Sequence, residues 1–289
     1  MSLHDEGTPA FKAPPQSCDC HFHVFGPAER YPARDPNLRY APPFAPLEDY
    51  LALSKKLGFE RYVFVQPSAY ARDNACMLDA MREMNPAVCR GIVDVDENVP
   101  DAELARLHAL GVRGVRINVS PIQPEAPGFA EAMLPCITRL DARCAEIGWH
   151  LDFLGPGWLT SALMPAMKKM QCDFSIAHMG MYLARDGVAQ PGFQALLDML
   201  HHGDGRCWVK FTGTYRMSEA PAFAGAEAMA HAIIEAAADR IIWGSDYPHL
   251  SFADKVGSVE LFNLLGKWVP DDATRHKILV DNPQKLFGF

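Results

Sequence analysis

The stretch "CDCHFH", residues 18–23, combines two thiols, a carboxylate and two imidazoles within six positions. A zinc knuckle, a redox-active thiol pair or a β-strand could each contain it. Side chains alternate between the two faces of a strand, so Asp19, His21 and His23 are predicted to share one face and the cysteines to share the other with Phe22. A zinc knuckle needs cysteine and histidine on the same side. The alternation therefore favours a strand with structural thiols and functional imidazoles.

Seven further short apolar runs have the character of buried parallel strands, since most are rich in β-branched or aromatic residues and are bounded by glycine, proline or small polar residues. They are "RYVFVQ", "CRGIVDV", "GVRINV", "WHLDFLG", "DFSIAHMG", "CWVKFTG" and "RIIWGSDYPH". Amphipathic helical patterns separate them. The first helix is predicted to end at Gly58 and the second to stop before Pro86.

Eight strands alternating with eight helices predict an α/β fold, a (β/α)8 TIM barrel in a single domain. An open doubly wound sheet is the alternative, but it normally carries a glycine-rich phosphate loop after its first strand, and none follows here. We predict a flexible lead-in over residues 1–16, where Pro14 and Pro15 lie, and a barrel domain over residues 17–289.

Composition narrows the class of partner. The net charge of −8 argues against nucleic acid, which needs a basic surface, but a few arginines could still bind a small anion. No run approaches the roughly 20 apolar residues of a membrane helix, and the N-terminus lacks the pattern of a secretory signal.

The eight cysteines form no CxxC pair and are expected to be buried, reduced thiols, which predicts a cytoplasmic protein. The oligomeric state is not indicated.

Polar residues end three of the predicted strands. His23 ends the first, His178 lies in "IAHMG" at the end of the sixth, and Asp246 lies in "WGSDYPH" at the end of the eighth. Active sites of these barrels are built at the C-terminal ends of the strands, so these residues and His21 are predicted to converge. The alternative is a set of structural polar groups, but buried polar side chains are costly without a partner or a function.

In these residues and in longer segments around them, the sequence resembles the amidohydrolase superfamily, and within it the branch of 2-pyrone-4,6-dicarboxylate lactonase and related sugar-lactone hydrolases and isomerases. The matching segments run from residue 19 to residue 287 and are "DCHFHVFGP", "VFVQPSAYARDN", "GVRGVRINV", "AHMG", "IIWGSDYPHL" and "LVDNPQKLF". The resemblance implies hydrolysis of a small, carboxylated or sugar-derived lactone, such as a 2-pyrone-4,6-dicarboxylate-like compound, a muconolactone or an aldonolactone.

The resemblance also implies roles for single residues. The central histidines and aspartate of the family match His21, His23, His178 and Asp246. The residues that match or align with substrate contacts are Arg116, Arg216, Tyr40 and Ser68.

Positions in the predicted strands add three further candidates for substrate binding. Period-two alternation places Asn118 beside Arg116 on the inward face of the fourth strand. Lys210 points inward on the seventh, where it either touches an anion or pairs with an acid. Gln66 ends the second strand, as Ser68 does, and could bind a hydroxyl or a carbonyl.

Two departures from the lactonase pattern change the expected substrate. Met181 follows the histidine–methionine–glycine segment where the lactonase carries an arginine, and "SPIQP", residues 120–124, replaces a second arginine. With two anion-binding groups fewer, a substrate with fewer carboxylates or a sugar-derived lactone is expected.

The resemblance implies a reaction without a metal ion, so the favoured mechanism requires no cofactor. Strand four offers Arg116 where binuclear members carry a bridging lysine, and His150 begins strand five, so a two-metal site is not expected. Asp246, ionised at neutral pH if its pKa is the usual ~4, takes a proton from water that attacks the lactone carbonyl, and the histidines stabilise the oxyanion. Alternatively, His21, His23, His178 and Asp246 hold one divalent metal such as Zn²⁺.

Three other functions stay open at this level. A zinc-dependent decarboxylase of an aromatic or muconic acid would use the same four ligands, and a lactone isomerase would differ only in its product. A non-catalytic ligand-binding barrel is the third.

Overall fold

The computed structural model describes residues 7–35, 37–219 and 223–289. Eight parallel strands form one sheet whose order follows the chain. The strands are Cys18–Phe22 (β1), Arg61–Val65 (β2), Cys89–Val93 (β3), Val112–Asn118 (β4), His150–Leu154 (β5), Phe174–Ile176 (β6), Cys207–Phe211 (β7) and Ile241–Trp243 (β8). Each coincides with a predicted run, and the predicted (β/α)8 TIM barrel is confirmed.

Helices follow the strands. They are Leu47–Leu57 (α1), Ala75–Arg82 (α2), Asp101–Ala109 (α3), Phe129–Ile147 (α4), Gly157–Met167 (α5), Pro191–His202 (α6), Ala224–Ala237 (α7), Ser258–Trp268 (α8), Asp272–His276 (α9) and Asn282–Phe287 (α10). As predicted, α1 ends at Gly58, whose φ of 92° is easy only for glycine and whose N–H donates to Ser54 O. Among the described residues, no helix combines the length and the apolar character that crossing a bilayer requires.

The chain divides into two compact units. The first unit comprises Met1–Arg113 and Trp243–Phe289, and the second unit comprises Gly114–Ile242. Residues 1–6 of the predicted lead-in lie outside the described residues, and the division at residue 17 stays a prediction.

In the first unit, Phe22 of β1 packs against α1. Cys18, Cys20 and Phe22 are fully buried, and the Phe22 ring stacks on Tyr50 of α1 with centroids 3.6 Å apart. Stacked aromatic pairs contribute about 1 kcal/mol beyond the area they bury. All eight cysteines of the chain are free thiols, and seven are buried, as expected for structural side chains.

A bulge in β1 corrects one sequence prediction. Asp19 pairs with Tyr62 and Phe22 pairs with Phe64, so three steps along β1 face two along β2. The extra residue places Asp19 on the face of Phe22 instead of the face of the histidines. Asp19 and Phe22 accordingly both contact Tyr50, since the Tyr50 hydroxyl donates to Asp19 Oδ2 at 3.0 Å.

In the second unit, the ladder aligns the polar centres of neighbouring strands. Arg116 of β4 is level with Asp152 of β5, which is level with Ser175 of β6. Asp152 and Ser175 are fully inaccessible to solvent, and Arg116 is 4% exposed. Polar groups in an interior need hydrogen-bond or charge partners, and Asp152 has both in Ser175 and Lys210.

Candidate active site

Three of the four predicted central residues meet within the first unit. His21 lies in β1, His23 directly follows it, and Asp246 follows β8. The Nε2 atoms of His21 and His23 lie 3.5 Å and 3.7 Å from the same carboxylate oxygen, Asp246 Oδ1. All three side chains are buried, so one carboxylate oxygen faces two imidazoles away from bulk water.

The backbone holds this cluster by tying the loop after β8 to β1. The Asp246 N–H donates to His21 O at 2.8 Å, and the His23 N–H donates to Tyr247 O at 2.8 Å. Asp246 adopts a φ of 57°, which is uncommon for a residue with a Cβ and costs on the order of 1 kcal/mol. Such local strain concentrates at functional positions, where the surrounding hydrogen bonds enforce it.

The hydrogen bond of His23 determines which ring nitrogen carries its proton. His23 Nδ1 lies 2.8 Å from Val65 O, and a carbonyl only accepts, so Nδ1 donates. A neutral His23 therefore directs the lone pair of Nε2 toward Asp246. Two lone pairs that face each other repel. The contact between His23 Nε2 and the Asp246 carboxylate is therefore favourable only when Nε2 is protonated or when a cation lies between the two atoms.

The donor set of this cluster fits a divalent metal ion. Imidazole nitrogen and carboxylate oxygen are ordinary zinc ligands, and in a tetrahedral zinc site neighbouring donors lie about 3.3 Å apart. The separations of 3.5 Å and 3.7 Å are close to that value. His21 and Asp246 accordingly belong to a group of donors that could hold an ion.

Asp19 supports the cluster from behind. Its Oδ1 accepts from the backbone N–H groups of His21 at 3.1 Å and Ser245 at 3.0 Å, and Tyr50 donates to Oδ2. Burial raises the pKa of Asp19 and these hydrogen bonds partly oppose it, which leaves the pKa at about 6. Asp19 thus holds the backbone at His21 and at Ser245, the residue before Asp246.

His178, the fourth predicted residue, lies in the second unit on a strained turn after β6. Its Nδ1 is 2.7 Å from Thr212 Oγ1. Residues 178–181 all have positive φ, at 52°, 48°, 80° and 57°, and only the third is glycine. Gly213 permits the approach of the ring, because a Cβ there would lie 2.5 Å from His178 Nδ1.

The second unit contains a buried ion pair. Lys210 Nζ lies 2.8 Å from Asp152 Oδ1, and both side chains are fully inaccessible to solvent. Ser175 Oγ donates to the same oxygen at 2.6 Å. Burial alone would raise the pKa of Asp152, but the charges of Lys210 and Arg116, with the hydrogen bonds from Lys210 and Ser175, outweigh it and hold the pKa at about 2.

Similarity to known proteins agrees with this arrangement. The family model described as Amidohydrolase matches residues 18–289. The chain belongs to the amidohydrolase family. The 4-sulfomuconolactone hydrolase of Rhizobium radiobacter is 35% identical over 285 residues, which cover 96% of this chain and 92% of the relative. The 2-pyrone-4,6-dicarboxylate hydrolase of Comamonas testosteroni is 30% identical over 289 residues, with coverage of 96% and 92%.

A solved structure extends the likeness to three dimensions. The protein, from Acinetobacter baumannii, has citric acid bound and is 26% identical to this amidohydrolase, with a TM-score of 0.82. The match covers 95% of this chain and 100% of that chain. The fold and the enzyme class therefore rest on matches that span nearly the whole chain.

Two other predicted substrate residues of the first unit, Tyr40 and Ser68, are in contact. Tyr40 Oη is 3.1 Å from Ser68 Oγ and accepts from the Ala69 N–H at 3.2 Å. The side-chain amide of Gln66 donates to Ala71 O at 2.8 Å and Asp73 O at 2.9 Å, so Gln66 shapes the loop after β2. Contact of these side chains with substrate stays a prediction.

The predicted substrate residues of the second unit divide between its strands and its loops. Arg116 and Asn118 lie in β4, and Lys210 pairs with an acid, one of the two roles expected of it. Arg216 lies half-buried in the loop after β7. Asp152, which sequence reasoning missed, carried a usable signal: it is the lone acid at an alternating position of a buried run.

Proposed function

We propose that this amidohydrolase hydrolyses the ester bond of a small carboxylated lactone with water activated by Asp246. The observation that carries the proposal is the single oxygen of Asp246 that faces both His21 and His23 in a buried cluster. The two curated relatives, a sulfomuconolactone hydrolase and a pyrone dicarboxylate hydrolase, support a lactone as substrate.

In the proposed reaction, Asp246 takes a proton from water as the water oxygen bonds to the lactone carbonyl carbon. The carbonyl oxygen becomes an oxyanion, which His21, His23 and His178 stabilise. The ring C–O bond then breaks, and the leaving alkoxide takes up the proton, so the product is a hydroxy acid. Because Nδ1 of His23 is engaged by Val65 O, His23 donates from Nε2 only as an imidazolium, which suits it to a developing negative charge.

We propose that His178 joins the three residues of the first unit at the reacting centre. The fold supports this, since both βα loops that carry His178 and Asp246 follow C-terminal ends of barrel strands. Groups that would bind the carboxylate, hydroxyls or ring oxygen of the lactone are Arg116, Arg216, Tyr40, Ser68, Gln66 and Asn118, whereas Lys210 pairs with Asp152.

A divalent ion is the alternative to the cofactor-free reaction. In that form, His21, His23, His178 and Asp246 would hold the ion. A bound ion would supply Lewis-acid activation of water and of the carbonyl. We favour the cofactor-free form and a cytoplasmic, small-molecule function without nucleic acid or membrane partners; the free thiols agree with a reducing compartment.

The test is product analysis with chelator-treated protein and metal-content measurement. We expect pyrone, muconolactone or aldonolactone substrates to yield a hydroxy acid that gains one oxygen from ¹⁸O-labelled water. Full loss of activity on chelation, with recovery by zinc, would defeat the cofactor-free form. A product of unchanged mass would indicate an isomerase, and release of CO₂ would indicate a decarboxylase; either would overturn hydrolysis.

A further inference from the structure

A cavity of about 510 Å³ opens in the second unit. It lies among the segments that follow β4, β5, β6 and β7, where substrate-binding groups of this fold are found. Its volume is within the range of about 300–1,000 Å³ that small-molecule sites occupy. The cavity is therefore large enough for a substituted ring.

Apolar side chains form much of the cavity wall. Ile122, Trp158, Met181 and Leu183 line it, together with Pro191. Ile122 is 66% exposed and is one of two large hydrophobic side chains exposed to this degree among the described residues. An apolar side chain left open to water beside a cavity gains free energy when an apolar ligand covers it.

Several polar groups of the wall direct their hydrogen bonds into the protein. Trp158 Nε1 donates to Gln123 O at 2.8 Å. Ser161 Oγ donates to Gly157 O at 3.0 Å and lies 3.1 Å from the Tyr182 hydroxyl, while the Gln190 amide donates to Leu183 O and Gly187 O. These groups complete the wall instead of presenting open donors to a polar ligand.

Arg216 is the basic residue among the side chains that line the cavity. Its guanidinium carbon lies 5.1 Å from the centroid of the Tyr215 ring, within the range of a cation–π contact. A guanidinium binds a carboxylate through two parallel hydrogen bonds. The wall thus offers one anion-binding group next to an apolar surface.

We propose that the cavity binds an alkyl or aryl substituent of the substrate, whose single carboxylate lies against Arg216. The inference rests on the proposed function and narrows its substrate class to a monoanionic lactone with an apolar substituent. Met181 and Ile122 both line this cavity and give it apolar surface.

Binding of stable carboxylates tests the cavity without catalysis. Isothermal titration calorimetry would compare benzoate, 4-butylbenzoate and terephthalate. We expect 4-butylbenzoate to bind at least about tenfold more tightly than benzoate, because each fully buried methylene contributes about 0.8 kcal/mol, or about fourfold in affinity. Terephthalate is expected to bind no better than benzoate. Equal affinities for benzoate and 4-butylbenzoate, or a preference for terephthalate, would overturn the proposal.

Two variants and a matched control locate the effect. Ile122→Ser should reduce the advantage of 4-butylbenzoate several-fold and leave benzoate unchanged, whereas Arg216→Gln should weaken both ligands. Phe44→Ser removes the other hydrophobic side chain that is 66% exposed, which lies in the first unit, and should change neither. An equal loss in Ile122→Ser and Phe44→Ser would contradict a specific cavity.

A kinetic series separates this inference from the proposed function. With muconolactones that carry hydrogen, methyl or propyl on the ring, kcat/KM should rise with substituent size in the wild type and less steeply in Ile122→Ser. Hydrolysis with a kcat/KM that does not depend on substituent size would contradict this inference and leave the proposed lactone hydrolysis intact. If no lactone is hydrolysed but alkylbenzoates bind in a way that depends on Ile122, the proposed function is wrong. The cavity would then stand as a binding site for carboxylates that carry an apolar group.

Discussion

Each of the two units buries a carboxylate, and the two behave in opposite ways. Asp19 of the first unit is held by backbone N–H groups and a tyrosine hydroxyl, and its pKa is about 6. Asp152 of the second unit faces Lys210 and Arg116, and its pKa is about 2. Both side chains are inaccessible to solvent, so burial alone does not distinguish them.

The difference shows what a formal positive charge adds to hydrogen bonds. Neutral donors only partly offset the desolvation of a carboxylate, whereas a contacting ammonium and a nearby guanidinium exceed it. The second unit thus contains a permanently charged pair that suits a structural role. The first unit places the carboxylate of Asp246 beside the imidazoles of His21 and His23, an arrangement that suits proton transfer.

The largest expected effect is on activity and concerns the first unit. Asp246→Asn should lower kcat by roughly 10²–10⁴-fold, the usual contribution of a general base, and change the free energy of unfolding by at most about 1 kcal/mol. Initial rates of lactone hydrolysis and urea unfolding measure the two quantities. Retention of most of the activity would mean that another group activates water.

The next largest effect is on stability and concerns the second unit. Lys210→Met should destabilise the protein by about 3–5 kcal/mol, because it leaves Asp152 charged and buried without its ammonium partner. The double variant Lys210→Met/Asp152→Leu should recover a large part of that loss in urea unfolding.

A surface pair supplies the control for that variant. Lys168 contacts Asp198 at 3.3 Å with both side chains about half exposed, and Lys168→Met should cost no more than about 1 kcal/mol. Similar losses in Lys168→Met and Lys210→Met would remove the distinction between the buried and the exposed pair.

The pH dependence of stability sharpens the comparison further. The folded pKa of Asp152 lies below the ordinary value of 3.8, so its contribution is present above pH ~4 and is lost as pH falls toward 2. The drop should reach about 2 kcal/mol, since one pKa unit corresponds to about 1.4 kcal/mol. Urea unfolding of the wild type and of Lys210→Met/Asp152→Leu across this range would show it. A parallel pH profile in both proteins would refute the assignment.

The smallest expected effect concerns the hydrogen bond that Tyr50 donates to Asp19. Tyr50→Phe removes the hydroxyl that donates to Asp19 Oδ2, should cost about 1 kcal/mol, and should raise the pKa of Asp19 further. Tyr62→Phe, which removes a hydrogen bond to Phe59 O, is the matched control and should leave that pKa nearly unchanged. Carboxyl titration followed by NMR distinguishes the two variants.

Local sequence was sufficient for the strands and for part of the site. Short apolar runs bounded by turn residues predicted all eight strands, and the positions of His21, His23 and Asp246 at strand ends anticipated their meeting in the first unit. Alternation failed for Asp19, because a bulge is a property of the pairing between β1 and β2 and leaves no clear mark in either strand.

Sequence alone determined the order of the strands, the family and the residue types available for acid–base chemistry, because periodicity and motif spacing are properties of neighbours along the chain. Tertiary structure decided which acid pairs with Lys210, which way His23 directs its lone pair, and which side chains enclose the cavity. Those outcomes depend on distances of a few ångströms between residues far apart in the chain, and electrostatic and hydrogen-bond energies are set by such distances.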